Sequence, residues 1–136
     1  VKRAYVVHGS GLDEAAVHGT TEIAELKEDG TIERSTLTPA DLGAKRLYSI
    51  EEIKGGAPAD NALITEAILA GKGTEAQQAF VTANLALLLK IGGLAKSLPE
   101  AVELARRTMA SGKGLEVLNA HRAYAASHTA SSQKAA

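Results

Sequence analysis

The sequence predicts an α/β fold in which a β-hairpin is followed by several helices. Three observations carry that reading. A short β-branched run, Ala4-Tyr5-Val6-Val7, leads straight into a turn with two glycines. Two strand-like segments flank Glu28-Asp29-Gly30. From Pro58 onward, apolar residues recur at helical spacing between capping residues and glycines.

The run at residues 4–7 has the composition of a buried strand. It delivers the turn His8-Gly9-Ser10-Gly11-Leu12-Asp13-Glu14, which sets two adjacent carboxylates at the strand's carboxyl end. In open α/β sheets this edge is where ligands bind. The pair Asp13 and Glu14, on a backbone that Gly9 and Gly11 leave free to approach a ligand closely, suits a hard cation such as Mg²⁺ against phosphate oxygens. The same two residues are also compatible with an ordinary solvated helix start, because acidic side chains complement the helix dipole there.

Ala15-Ala16-Val17 reads as a short helix stopped at His18-Gly19. A lone histidine lacks the orienting partner that catalysis requires, so His18 is read as a loop residue and His8 as a side chain packed near a ligand. Residues 21–26 and 31–37 read as the two strands of the hairpin. A three-residue loop with Gly30 in the left-handed position pairs Leu26 with Ile32, at the cost of setting Glu25 opposite Glu33. A two-residue Asp29-Gly30 loop would pair Leu26 with Glu33 instead, and the apolar match favours the longer loop.

Thr38-Pro39-Ala40-Asp41-Leu42-Gly43 has the composition of one capped turn. Residues 44–57 are expected to be irregular, anchored by Leu47, Ile50 and Ile53. Pro58 opens a helix with Leu63, Ile64, Ala67 and Ile68 as its buried stripe, ended by Gly71 and Gly73. Asn61, one turn into it, is read as bonding nearby backbone. Thr74-Glu75-Ala76-Gln77 is a capping-box pattern that opens the most apolar helix, expected to be buried on all sides. Asn84 inside that helix needs partners, because an unsatisfied buried amide costs about 1–3 kcal/mol; they are expected in polypeptide beyond these residues. Ser97-Leu98-Pro99-Glu100 starts another helix, whose outer face carries Glu103, Arg106 and Arg107 as solvated charge. A last helix is expected over residues 115–125. Residues 127–136 have no apolar anchor and read as a disordered tail, leaving one domain, residues 1–126.

Composition narrows the classes of function. Apolar residues make up 45% of the chain but aromatic ones only 3%, so the core is built mostly from small side chains. Fifteen basic against sixteen acidic residues give no basic footprint for nucleic acid. The absence of cysteine removes any disulfide framework or thiol nucleophile. No apolar stretch approaches the ~20 residues needed to cross a bilayer, and a cytoplasmic location is expected, without membrane or nucleic-acid partners.

The segment Val6-Val7-His8-Gly9-Ser10-Gly11-Leu12-Asp13-Glu14, with Thr20-Thr21-Glu22-Ile23-Ala24-Glu25-Leu26 behind it, resembles the later part of the anthranilate phosphoribosyltransferases. The likeness continues through Gly55-Gly56-Ala57-Pro58-Ala59-Asp60-Asn61-Ala62 and Val81-Thr82-Ala83-Asn84-Leu85-Ala86-Leu87. It covers residues 4–122, and the Gly-Leu-Asp-Glu turn is its most specific piece. The resemblance implies the C-terminal part of a nucleoside phosphorylase/phosphoribosyltransferase-type α/β domain. It also implies a metal site at Asp13 and Glu14, with Mg²⁺ as cofactor, phosphoribosyl pyrophosphate and anthranilate as substrates, and a homodimer for the full-length enzyme. The family's Gly-Thr-Gly-Gly-Asp loop and Lys-His-Gly-Asn-Arg segment do not occur here. The chain is therefore expected to be the later portion of such an enzyme, inactive alone. Two other readings remain: a non-enzymatic or nucleic-acid-binding relative on the same scaffold, and a pyrimidine nucleoside phosphorylase relative.

Overall fold

The computed structural model describes residues 1–133, with side chains through His128. Three strands, β1 (Ala4–His8), β2 (Thr21–Leu26) and β3 (Ile32–Leu37), form an antiparallel meander in the order β1-β2-β3. Five helices follow: α1 (Ile50–Ile53), α2 (Pro58–Leu69), α3 (Glu75–Ile91), α4 (Leu98–Ala110) and α5 (Lys113–Gln133). The mixed α/β arrangement of hairpin and helices is the predicted one.

The hairpin takes the longer of the two loops weighed from sequence. Leu26 pairs with Ile32 and Glu25 with Glu33, and Gly30 turns the chain at φ +85°. The like-charged pair is tolerated because each glutamate has its own cation: Arg3 lies 3.8 Å from Glu25, and Lys27 pairs with Glu33. That contact raises the Lys27 ammonium above its ordinary range, through its hydrogen bond to Glu33 and the charge behind it.

Several expectations are corrected. The β1 segment is not a fully buried strand: it is hydrogen-bonded only on its β2 side among the described residues, and Val6 is 70% exposed. Ala15-Ala16-Val17 forms no helix, although all three residues are completely buried. Their backbone groups are held by tertiary hydrogen bonds instead, as described below. Within the stretch expected to be irregular, α1 forms on a capping box in which Ser49 Oγ accepts from the Glu52 amide and the Glu52 carboxylate accepts from the Ser49 amide. Leu63 is 66% exposed and only Ile68 is buried on α2, so the expected stripe is only partly covered. The α3 helix is not buried all round, since Leu88 is 67% exposed. Finally, α5 spans Lys113–Gln133, longer than the 115–125 expected for the last helix; of the positions 127–136 read as a tail, 134–136 lie outside the described residues.

The core lies where the sheet meets α3. Ile23 from β2, Ala15 and Val17 from the β1–β2 connection, and Leu42 and Tyr48 from the segment after β3 pack with Ala76, Ala83 and Leu87 of α3. A second cluster joins α3 to α4 through Ala86, Ala95, Ala101, Val102 and Ala105. Alanine dominates the second cluster, which lets α3 and α4 approach closely. The turn expected at Thr38–Gly43 is present, with Asp41 accepting from the Thr38 amide and hydroxyl. These bonds hold the Asp41 carboxyl below the usual carboxylate range.

Candidate active site

The candidate site begins with the turn after β1. Gly9 and Leu12 exchange backbone hydrogen bonds of 3.0 and 3.1 Å, and the residues between them, Ser10 and Gly11, sit at φ 50° and 97°. Two successive positive φ angles match a type I′ turn, which reverses the chain in two residues. Ser10 is the described non-glycine residue in this region of φ. Its hydroxyl donates to the Thr20 carbonyl at 2.9 Å, while its own carbonyl lies 3.2 Å from His18 Nε2. The Gly11 amide donates to His8 Nε2 at 3.4 Å. Both histidines are thus parts of the turn's framework, His18 in the loop as read from the sequence. His18 Nδ1 is buried without a hydrogen-bond partner among the described residues.

Asp13 and Glu14 follow the turn directly and are exposed. No protein hydrogen bond or ion pair falls on either carboxylate among the described residues. The chain beneath them is tightly held. The Asn84 side chain of α3 accepts from the Ala15 amide at 2.9 Å and donates to the Ala15 carbonyl at 3.1 Å and to the Phe80 carbonyl at 3.0 Å. Thr21 Oγ1, fully buried on β2, accepts from the Ala16 amide at 2.9 Å. The Tyr48 amide donates to the Val17 carbonyl at 3.1 Å. Residues 15–17 therefore satisfy four buried backbone groups without secondary structure, as burial of peptide groups requires. The partners expected for Asn84 in other polypeptide are found within this chain.

Gly9 packs against the same segment. A Cβ there would collide with the Glu14 carbonyl oxygen and lie 2.6 Å from the Ala16 nitrogen. Turn and carboxylate segment are thus in direct backbone contact, and no larger residue fits.

Asp13 and Glu14 are among the residues lining a cavity of about 670 Å³ whose walls are almost entirely apolar. Val7, Phe80, Val81, Leu88, Met109 and Asn84 line it as well. The pair fits a hard cation: two adjacent oxygen donors are free of protein partners. No cluster of three or more Asp, Glu, His or Cys side chains gathers among the described residues, so the pair cannot close a cage by itself. That limitation suits Mg²⁺, which usually takes one or two carboxylates and completes its shell with water and substrate phosphates.

Asn61, the other asparagine weighed from sequence, makes a similar clamp. It accepts from the Gly56 amide at 2.8 Å and donates to the Gly56 carbonyl at 3.1 Å, the backbone role expected of it. Arg106 departs from its reading as plain solvated charge, because it donates to the Gly43 carbonyl at 2.6 Å and ties α4 to the turn after β3. Sequence reasoning missed the Asn84 and Thr21 contacts to residues 15 and 16. A polar side chain inside an apolar helix marked Asn84 as needing partners, but nothing local pointed 69 residues back along the chain.

Comparison with known proteins agrees with this geometry. Residues 1–115 match the glycosyl transferase family, a/b domain. The chain is 53% identical over 116 residues to an anthranilate phosphoribosyltransferase of Tolumonas auensis, covering 85% of this chain and 34% of that protein. It superposes with a TM-score of 0.80 and 32% identity on the crystal structure of the Thermus thermophilus anthranilate phosphoribosyltransferase, covering 90% of this chain and 35% of that one. A Saccharomyces cerevisiae anthranilate phosphoribosyltransferase in complex with PRPP and Mg shares the fold at a TM-score of 0.73 and 24% identity, over 85% of this chain and 33% of that one. The chain spans about a third of the length of these relatives. The likeness read from the turn and the helices is thus shared by solved structures, and the chain belongs to the glycosyl transferase family, a/b domain.

Proposed function

We propose that this chain is the carboxyl-terminal part of an anthranilate phosphoribosyltransferase, transferring the phosphoribosyl group of phosphoribosyl pyrophosphate to the amine of anthranilate in tryptophan biosynthesis. One observation carries the reading: the Asp13 and Glu14 carboxylates, without protein partners among the described residues, line the apolar cavity and adjoin directly a segment fixed to α3. The kinship with transferases of this name in Tolumonas auensis and Thermus thermophilus supports the choice of substrates.

The chemistry asks for stabilisation of negative charge, since pyrophosphate departs while the ribose C1 becomes cationic. Mg²⁺, when bound, supplies positive charge against the phosphate oxygens. Asp13 and Glu14 hold that cation, directly or through water, and take no part as acid or base. The turn residues Gly9 to Leu12 keep the backbone close beneath the ligand, and the pinned segment at residues 15–17 fixes where the carboxylates point from. A homodimer for the whole enzyme and a cytoplasmic place of action go with this reading, and sedimentation of the full-length protein checks the former.

The test uses a complete transferase in which these 136 residues replace the matching stretch of the Tolumonas auensis relative. Replacing both Asp13 and Glu14 with alanine is expected to lower Mg²⁺-dependent turnover by about 10-fold or more while the fold persists, in line with the loss of metal-holding groups. Turnover unchanged across a magnesium titration would remove the assignment.

A further inference from the structure

We propose that Asn84 is the positioning residue for the Asp13 and Glu14 carboxylates. This rests on the reading of that pair as the metal-holding group and adds the residue that sets its place.

The clamp is unusual in where it grips. Asn84 engages both the amide and the carbonyl of Ala15, the residue joined by one peptide bond to Glu14. Its third bond, to the Phe80 carbonyl one turn back on α3, fixes the side chain's own rotation. With all three bonds made, neither the amide group nor Ala15 has freedom left. Ala15 is fully buried, so its amide and carbonyl depend on these bonds in the native chain.

The lever is short and stiff. The α3 helix is the longest of those in the core, and both apolar clusters are built on it. A displacement of Asn84 is transmitted through Ala15 to Glu14 without an intervening rotatable side chain. The cavity leaves no alternative support on the other side, because Asp13 and Glu14 themselves have no protein partner among the described residues. The outer neighbours of metal ligands commonly govern affinity in this manner.

The chemistry of the side chain separates positioning from mere packing. Asn84→Asp keeps the shape and the acceptor for the Ala15 amide, but it has no donor for the Ala15 and Phe80 carbonyls. Asn84→Ala removes the clamp altogether. Both are made in the complete transferase described above. Two readouts independent of turnover are hydrogen exchange at the Ala15 amide and Mn²⁺ affinity, followed by electron paramagnetic resonance with phosphoribosyl pyrophosphate present.

The expected result is faster exchange at Ala15 together with Mn²⁺ binding weakened about 10-fold in Asn84→Ala, and by a smaller factor in Asn84→Asp. The KM for anthranilate stays unchanged. Should Asn84→Ala fail to fold, Asn84→Asp decides. Faster exchange with wild-type Mn²⁺ affinity makes Asn84 a packing residue only and overturns the proposal. If Asp13→Ala and Glu14→Ala also leave Mn²⁺ binding unchanged, the metal-holding reading fails, and this one with it. Loss in those two variants with wild-type binding in both Asn84 variants refutes the positioning role alone.

Discussion

At the scale of single residues, the site depends on backbone contact more than on side chains. Gly9 lies so close to the segment at residues 14–16 that a single methyl group has no room. Gly9→Ala is therefore expected to destabilise the fold by about 1–3 kcal/mol, the usual cost of overpacking. It should also weaken metal binding, because the carboxylate segment is the part that must yield. A Gly9→Ala variant with wild-type melting temperature and Mn²⁺ affinity would count against this packing. A second residue-scale consequence concerns charge. The Glu52 carboxyl is lowered from 4.5 to about 2, first by its hydrogen bond from Arg46 and then by the Ser49 amide. A carboxylate with a depressed pKa stabilises the folded state above its ordinary value, and that contribution is lost as pH falls toward 2. Carbon-detected titration should find Glu52 half-protonated near this low value, and Arg46→Gln should return it toward 4.5. An unshifted Glu52 in the wild-type chain would refute the contact.

At the scale of elements, helix starts were the most legible feature of the sequence. The Thr74-Glu75-Ala76-Gln77 pattern opens α3 as read: Thr74 Oγ1 accepts from the Gln77 amide, and the Gln77 side chain accepts from the Thr74 amide. Thr74→Ala is expected to cost about 1 kcal/mol, measured by denaturant unfolding. A cost near zero would mean that packing alone holds this end. The same pattern, Ser49 with Glu52, opens α1 inside the stretch expected to be irregular, and it was not singled out from the sequence. Ser97 caps α4, although Glu100 reaches back to the Lys96 amide rather than to the cap itself. The hairpin register was legible because the apolar match of Leu26 with Ile32 decided between the two loop lengths that the turn residues allowed. The stretch Ala15-Ala16-Val17 was not. Its composition is helical, yet its conformation is set by Asn84, Thr21 and Tyr48, none of which lies within a helical turn of it. Local propensity yields here because tertiary bonds capture four of the segment's backbone groups. The length of α5 was not legible for a different reason: residues 127–133 bring no apolar stripe to mark a helix.

At the scale of the whole molecule, the apolar cavity is the feature that the sequence could not reveal. Leu63 was assigned to a buried stripe from its spacing and Leu88 to a helix buried on all sides, but both are about two-thirds exposed. Periodicity reports which face is apolar, not whether something covers it. The walls of the cavity, the exposed Val6 and the side of β1 that is unpaired among the described residues leave apolar surface and a strand edge open. The isolated 136-residue chain is therefore expected to bind a hydrophobic dye and to melt without a sharp transition. Joined to the remaining portion of a relative such as the Tolumonas auensis enzyme, it should lose the dye and melt cooperatively. A sharp, dye-free transition of the chain alone would show that this face needs no cover.

The central claim is that Asp13 and Glu14 couple magnesium to phosphoribosyl pyrophosphate. Calorimetric titration of phosphoribosyl pyrophosphate into the complete transferase tests it most directly, with and without Mg²⁺, in the wild type and in the Asp13→Asn, Glu14→Gln double variant. The wild type should bind the substrate more tightly in the presence of Mg²⁺, and the variant should lose most of that gain while its melting temperature is kept. An undiminished magnesium effect in a folded variant would contradict the claim, because the cation would then be held without these two carboxylates.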